Sequence, residues 1–341
     1  MATYRGIKGF TMQSLASDPA ANTNTEGQVW YNTTTNVLKG IAGAAGVGSW
    51  ASGGNLNTAR FNGGGIGIAT AAAFAGGDLG PPGKTAVVEE YDGTSWTNVT
   101  SMPATQFFLA SGGVQTAGWV AGGGGAPFPT ATFTYDGTNW TSGGALNTGR
   151  YAVTGAGTQT TAFIAGGSIP PASPGGVGLT EKYNGTSWSE SGDMNTVKYS
   201  GFASGTNTAG LMAGGHSAGS LTVNAETFNG TSWTEVANLN LARQRGAVGG
   251  GTSTNTSALV AGGYDGSVGN YRTANTESWN GTSWTEVADL SAVISGQGFA
   301  TTGNTSALSF GGDYPPTTTH ATTEVWSIAS PTFSVKTFTA S

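Results

Sequence analysis

The sequence has no cysteine and is poor in charge: Lys, Arg, Asp and Glu together make up 9% of its 341 residues. The lack of cysteine excludes a disulfide framework, a thiolate metal site and a cysteine nucleophile. There are two histidines, His216 and His320, and neither sits among the nitrogen and carboxylate ligands at close spacing that a metal centre needs. No metal or other cofactor is expected. No stretch of a dozen residues carries apolar side chains at helical spacing, which argues against helices as the main element. Nothing approaches a membrane span. The first residues, MATYRGIKGFTMQ, lack the continuous apolar core of a secretory signal, so the expectation is synthesis in a cytoplasm without Sec export. A net charge of −6 argues against a nucleic-acid partner.

What is abundant is glycine, 59 residues without the every-third spacing of collagen. Thr, Val, Tyr, Phe and Trp alternate with small residues in short runs broken by Gly, Asn and Pro. That is the pattern of an all-β chain with many tight turns. A chain this long is poorly served by one undivided core, so internal repeats are the first thing to seek.

Two signals recur in phase. A Gly-Gly pair falls at Gly76-Gly77, Gly122-Gly123, Gly166-Gly167, Gly214-Gly215, Gly262-Gly263 and Gly311-Gly312, in steps of 44 to 49 residues. After five of the pairs comes an aromatic, Asp or Asn, Gly, Thr, Ser or Asn, and Trp: YDGTSW, YDGTNW, YNGTSW, FNGTSW and WNGTSW, ending at Trp96, Trp140, Trp188, Trp233 and Trp284. Each period reads as four strands, a to d. Strand b ends on Gly-Gly, strand c carries the aromatic, and strand d opens on the Trp. The Asp-Gly or Asn-Gly between c and d suits a type I′ turn, which needs positive φ at both central residues. Four strands per such period is the signature of a propeller blade.

These motifs resemble kelch repeats, which pair a Gly-Gly at the end of the second strand with an aromatic in the third and a Trp in the fourth. Kelch repeats often place a basic residue at the entry to the first strand, as Arg60, Arg150, Lys198 and Arg243 stand here. The resemblance covers about residues 48 to 328 and implies a six-bladed kelch-like β-propeller. Blades 2 and 6 depart from it, with Gln106 and Val293 near the basic position. The sixth copy stops at TEVWS around Trp326, without strand d. The stretch from Gly48 to Arg60 matches Thr138 to Arg150 almost residue for residue, so Trp50 is expected to supply that strand. Closing the sheet this way removes two free edges. The alternating tail from Thr332 to Phe338 is the competing candidate for the same place, or for an added outer strand. Trp50, Trp96, Trp140, Trp188, Trp233 and Trp284 are read as structural, filling the wedges between blades, where burial is worth roughly 2–3 kcal/mol each.

The division that follows is residues 1–47 as an N-terminal arm and hairpin, 48–330 as the propeller, and 331–341 as a tail strand. The phrase EGQVWYNTTTNVLKG in the first segment resembles short modules at the front of tail-fibre and other virion proteins of bacteriophages, marine ones in particular. That resemblance implies a virion protein whose N-terminal segment attaches to other virion proteins.

Catalytic constellations are not evident. Kelch-like copper radical oxidases need a Tyr–Cys crosslink, which a chain without cysteine cannot form. The Asp box of sialidases separates Asp from Gly by one residue, whereas Asp92-Gly93 and Asp136-Gly137 are adjacent, and sialidases also need three arginines on a carboxylate. Glycine runs such as Gly249-Gly250-Gly251 lack the Lys and Ser/Thr of a phosphate loop. The loops after strand b escape the repeat, and function in repeat proteins gathers in such loops. The candidate binding residues are therefore Phe128, Tyr264, Tyr271, Arg272 and Tyr314 in those loops, with Arg60, Arg150, Lys198 and Arg243 as a basic ring on the same face. The leading expectation is a non-enzymatic phage surface protein, a fibre, knob or decoration, that binds a host glycan or protein. The alternatives are a carbohydrate-binding, lectin-like propeller and, third, a glycan-processing kelch-like enzyme.

Overall fold

The computed structural model describes residues 13–81, 83–124, 129–169, 176–245, 250–251, 253–266, 271–314 and 318–338. Among these residues every regular element is a strand, with no helix. They divide into two compact units, a repeat body of residues 48–327 and a smaller unit made of 1–47 and 328–341.

In the repeat body, repeat 1 runs through strands a to d at Gly64–Ile68, Ala71–Ala75, Val88–Tyr91 and Trp96–Val99, a four-stranded antiparallel sheet in chain order. Repeats 3 and 4 build equivalent sheets from Thr154–Ala156 to Trp188–Ser191 and from Phe202–Thr206 to Trp233–Val236. Repeat 2 contributes Ala110–Val114, Ala117–Ala121, Thr132–Tyr135 and Trp140–Ser142. Repeat 5 has strands b to d at Ala258–Ala261, Thr276–Trp279 and Trp284–Val287. Its Gly250–Gly251 segment pairs instead with the inner strands of repeats 6 and 2. Repeat 6 has Gly298–Thr301, Ser306–Phe310 and Thr323–Ile328, and the strand hydrogen-bonded outside the last of these is Gly48–Ser52, which carries Trp50.

Position in the sheet explains composition. Strand b is buried along most of its length, as in AAAFA and AGWVA, so it reads as a continuous apolar run. Strand d shows the buried-then-exposed pattern of an outer strand. Inner strands are glycine-rich because neighbours crowd them: a Cβ on Gly65 would stand 2.3 Å from the backbone of Phe299 in repeat 6.

The Gly-Gly pairs have a conformational reason. The first glycine has φ between 59° and 68° and the second between 101° and 117°, so both lie in the left-handed region. This lets the second N–H reach the next repeat. Gly77 donates to Gln106 O, Gly123 to Arg150 O, Gly167 to Lys198 O, Gly215 to Arg243 O and Gly263 to Ile294 O. Gly312, in repeat 6, donates to Arg60 O in repeat 1. The six distances are 2.7–3.1 Å.

The d-strand tryptophans tie neighbouring repeats together by a second route. Each ring packs on the aromatic that precedes its own turn, as in Tyr183–Trp188 at 4.8 Å. Four indole N–H groups donate to the Thr that opens strand c of the preceding repeat: Trp96 to Thr323, Trp188 to Thr132, Trp233 to Thr180 and Trp50 to Thr276, at 2.8–3.1 Å. Repeat 1 has Val88 at that position, and Trp140 turns to the Thr100 carbonyl instead. Repeat 4 has Ala225 there, and the buried Trp284 Nε1 has no partner.

The c–d turn differs from a two-residue type I′ hairpin. Tyr91 pairs with Trp96, so four residues form the loop. Only the glycine takes positive φ, 96° at Gly93; Asp92 does not. The Asp92 carboxylate instead accepts the Thr94 and Ser95 N–H groups at 2.8 Å, and Asp136, Asn184, Asn229 and Asn280 repeat the arrangement. These N–H bonds hold the Asp92 and Asp136 carboxyls below the usual range. An Asx turn, not paired left-handed residues, is the physical basis of the motif.

In the smaller unit, Gln13–Leu15 runs parallel to Val29–Asn32, which is antiparallel to Val37–Ala44. The tail strand Thr332–Phe338 pairs with Val37–Ala44, from Leu38 opposite Phe338 to Ala44 opposite Thr332. The tail therefore takes neither place considered from sequence; its partner is the head. Asp18 organises this sheet, accepting from Lys39 Nζ at 2.7 Å, Asn32 Nδ2 at 2.6 Å and Trp30 Nε1 at 3.3 Å, and these donors lower its pKa.

The orphaned Trp284 donor gives a direct stability test. Supplying its acceptor with Ala225→Thr is expected to stabilise the protein by about 1 kcal/mol, and Thr180→Ala to cost about 1–2 kcal/mol by orphaning Trp233. Denaturant unfolding of both variants measures this.

Candidate functional site

The four basic residues at the strand a entry lie inside the sheets, fully buried, and not on an open rim. Each meets a strand c glutamate. Arg60 pairs with Glu89, Arg150 with Glu181 at 2.6 Å, Arg243 with Glu277 at 2.8 Å, and Lys198 with Glu226 at 3.5 Å. The same carboxylates accept backbone N–H bonds from Asn57, Asn147, Asn195 and Asn240, which pins the d–a connection. A ligand cannot reach these cations. Their desolvation is offset internally, and removing one partner of such a pair costs roughly 3–5 kcal/mol. Repeat 2 lacks both partners, with Gln106 and Phe133 in their places; Gln106 Nε2 bonds Gly122 O at 3.0 Å, as Arg60 Nε bonds Gly76 O. In repeat 6 the equivalent position is Ile294, one residue beyond Val293, as its bond from Gly263 shows.

Burial pushes the Lys198 ammonium down from 10.5 to about 8. Between these values the unfolded chain binds more protons than the folded one, so stability rises with pH across that window. Arginine does not titrate there. The stability of the wild type minus that of Lys198→Arg is expected to grow by up to about 3 kcal/mol from pH 8 to 10.5. Denaturant titrations at stepped pH measure the difference, and a flat difference contradicts the assignment.

Two residues beyond the basic position, every repeat places a residue in the left-handed region: Asn62, Phe108, Ala152, Ser200 and Arg245, with φ from 53° to 56°, and Gly296 at 68°. Five non-glycine residues in that region carry strain of order 1–3 kcal/mol each, and such strain concentrates at functional positions. Their backbones are linked: Phe108 N donates to Asn62 O, Asn62 N to Gly296 O, Gly296 N to Arg245 O, Arg245 N to Ser200 O and Ser200 N to Ala152 O. These six residues line one cavity of about 80 Å³, which all six repeats share.

Aromatic and polar side chains cluster around the left-handed residues and the segments after Gly-Gly. Tyr199 packs on His216 with ring centroids 5.0 Å apart, Phe108 meets Tyr151 edge-on at 6.5 Å, and Lys84 lies 4.2 Å over Phe107. Burial lowers the His216 pKa, which favours the neutral imidazole. Tyr264 and Tyr271 stack in parallel, 5.8 Å apart at 8°, and Tyr271 is 49% exposed. Arg272 is bound to Asp313 at 2.5 Å, and Tyr314 packs edge-on to His320. Phe128 lies outside the described residues.

The structure therefore brings together Tyr264, Tyr271 and Arg272, while Arg60, Arg150, Lys198 and Arg243 are buried against strand c glutamates. The cavity residues Asn62, Phe108 and Arg245 escape a reading of sequence because the left-handed position has no residue type in common. The second arginine in Arg243-Gln244-Arg245 was the available signal. Among the described residues no group of three His, Asp or Glu could hold a metal ion, and no helix is long and apolar enough to cross a membrane.

The chain belongs to the all-β class, built from small antiparallel sheets that repeat along it. Its fold is similar to that of YjhT, whose solved structure matches with a TM-score of 0.64 over 82% of this chain and 99% of that one, at 14% identity. No family model and no curated protein matches the sequence.

Proposed function

We propose that this protein is a non-enzymatic surface protein of a bacteriophage particle, a fibre, knob or decoration. Its repeat body is read as a six-bladed kelch-like β-propeller that binds a host-surface glycan or protein. The observation that carries this reading is the smaller unit. The phage-like phrase spanning Glu26 to Gly40 lies within a sheet that also takes the tail strand, in a compact unit separate from the repeats. Such a unit can serve attachment to other virion proteins, and the loops of the repeat body can serve a ligand. The six bonds from Gly-Gly to the next repeat, and the Trp96–Thr323 bond between repeats 1 and 6, support the six-bladed reading. Mass spectrometry of purified particles is expected to find the chain at stoichiometric level after washing; its absence from the particle contradicts the reading.

A second reading, a lectin-like propeller without a virion, is favoured by the Tyr264–Tyr271 stack, because flat exposed rings bind the apolar faces of sugars. This reading requires a glycan-array hit that weakens at least about tenfold in Tyr271→Ala, about 1.4 kcal/mol, together with absence of the chain from purified particles.

A further inference from the structure

Among the described residues Arg245 is the arginine without a carboxylate partner, since Arg60, Arg150, Arg243 and Arg272 each have one. Its guanidinium lies 5.0 Å over the Phe108 ring, and one nitrogen, Nη2, donates to Asn62 Oδ1 at 3.2 Å. Its Nε is buried and has no acceptor. That contact orients the Asn62 amide, whose Nδ2 is also buried and without an acceptor. Gly296 makes room for it, because a Cβ there would stand 2.7 Å from Asn62 Oδ1. The carboxylates that influence Arg245 most, Asp313 and Asp78, are engaged elsewhere: Asp313 by Arg272 and Ser295, Asp78 by the Gly80 N–H. Arg245 and Asn62, each with a buried donor that has no acceptor, are among the residues that line the cavity of about 80 Å³, on backbone held in the left-handed region at Asn62, Phe108 and Arg245. Unused buried donors each carry a desolvation cost that a suitable acceptor relieves.

We infer that this cavity is a carboxylate-binding site, in which the Arg245 guanidinium and the Asn62 amide donate hydrogen bonds to the ligand oxygens. A cavity of about 80 Å³ has room for a carboxylate with one or two carbons. Guanidinium donors match the planar, two-oxygen shape of a carboxylate. The bound group is the carboxylate end of a ligand whose remainder lies outside the cavity. The inference stands apart from the virion reading, because its test uses the purified chain alone.

The test is thermal unfolding of the full chain at pH 7 in acetate, chloride and phosphate of matched ionic strength. Acetate is expected to raise the melting temperature by about 2 °C at ten times its dissociation constant, with chloride giving no such rise. Arg245→Gln is expected to lose the acetate-specific rise. Asn62→Asp guards against mere misfolding: aspartate tolerates the left-handed position and supplies Arg245 with a built-in carboxylate. That variant is expected to melt higher than the wild type in chloride and to lose the acetate response. The inference is overturned if acetate acts no differently from chloride, if Asn62→Asp keeps the full response, or if phosphate stabilises as strongly as acetate.

Discussion

The repeat body depends on one backbone contact made six times: the N–H of the second glycine in each Gly-Gly pair given to a carbonyl of the following repeat. The contact requires two consecutive residues in the left-handed region, and glycine is the residue that adopts it without penalty. Everything near this bond follows from it. The accepting carbonyl belongs to the basic position, so that residue is fixed at the junction of two sheets and its side chain must turn inward. In the four repeats where that residue is a cation, a strand c glutamate neutralises it while also receiving backbone N–H groups from the connection that follows strand d. The residue two places further on is forced into the left-handed region in every repeat, and these residues together enclose the shared cavity.

The outer rim depends on indole rings. A tryptophan on strand d stacks on its own turn aromatic and reaches across to a threonine of the previous repeat. The arrangement tolerates local losses: repeat 1 substitutes a carbonyl acceptor, and repeat 4 leaves the donor unpaired. Repetition spreads the cost, since each repeat contacts only its neighbours and a lost indole bond is confined to one interface.

Much of this was legible in sequence because it is periodic. The Gly-Gly pairs, the tryptophans and the match between Gly48–Arg60 and Thr138–Arg150 are fixed by spacing, and the strand at Trp50 is where that match places it. The basic positions were visible, but their burial was not, because the deciding partner lies about thirty residues downstream. The signal existed: Glu89, Glu181, Glu226 and Glu277 each sit second in strand c, two residues before the turn aromatic, in the repeats that carry a basic residue. The turn is not legible from its dipeptide: Asp-Gly suggests a two-residue loop, while the register of Tyr91 with Trp96 makes it four. Alternation identified the tail strand without naming its partner. The cavity residues were hidden for another reason: backbone conformation, not side-chain type, is what Asn62, Phe108, Ala152, Ser200 and Arg245 share.

The strand Gly48–Ser52, far from the sixth repeat in sequence, is hydrogen-bonded outside Thr323–Ile328 as the outer strand of that repeat. Hydrogen exchange of the intact protein tests it most directly. The account predicts that the strand-bonded amides of Gly48–Ser52 are protected as strongly as those of the outer strands Trp188–Ser191 and Trp233–Val236. Exchange of Gly48–Ser52 as fast as that of the exposed turn residues around Gly93 would contradict it.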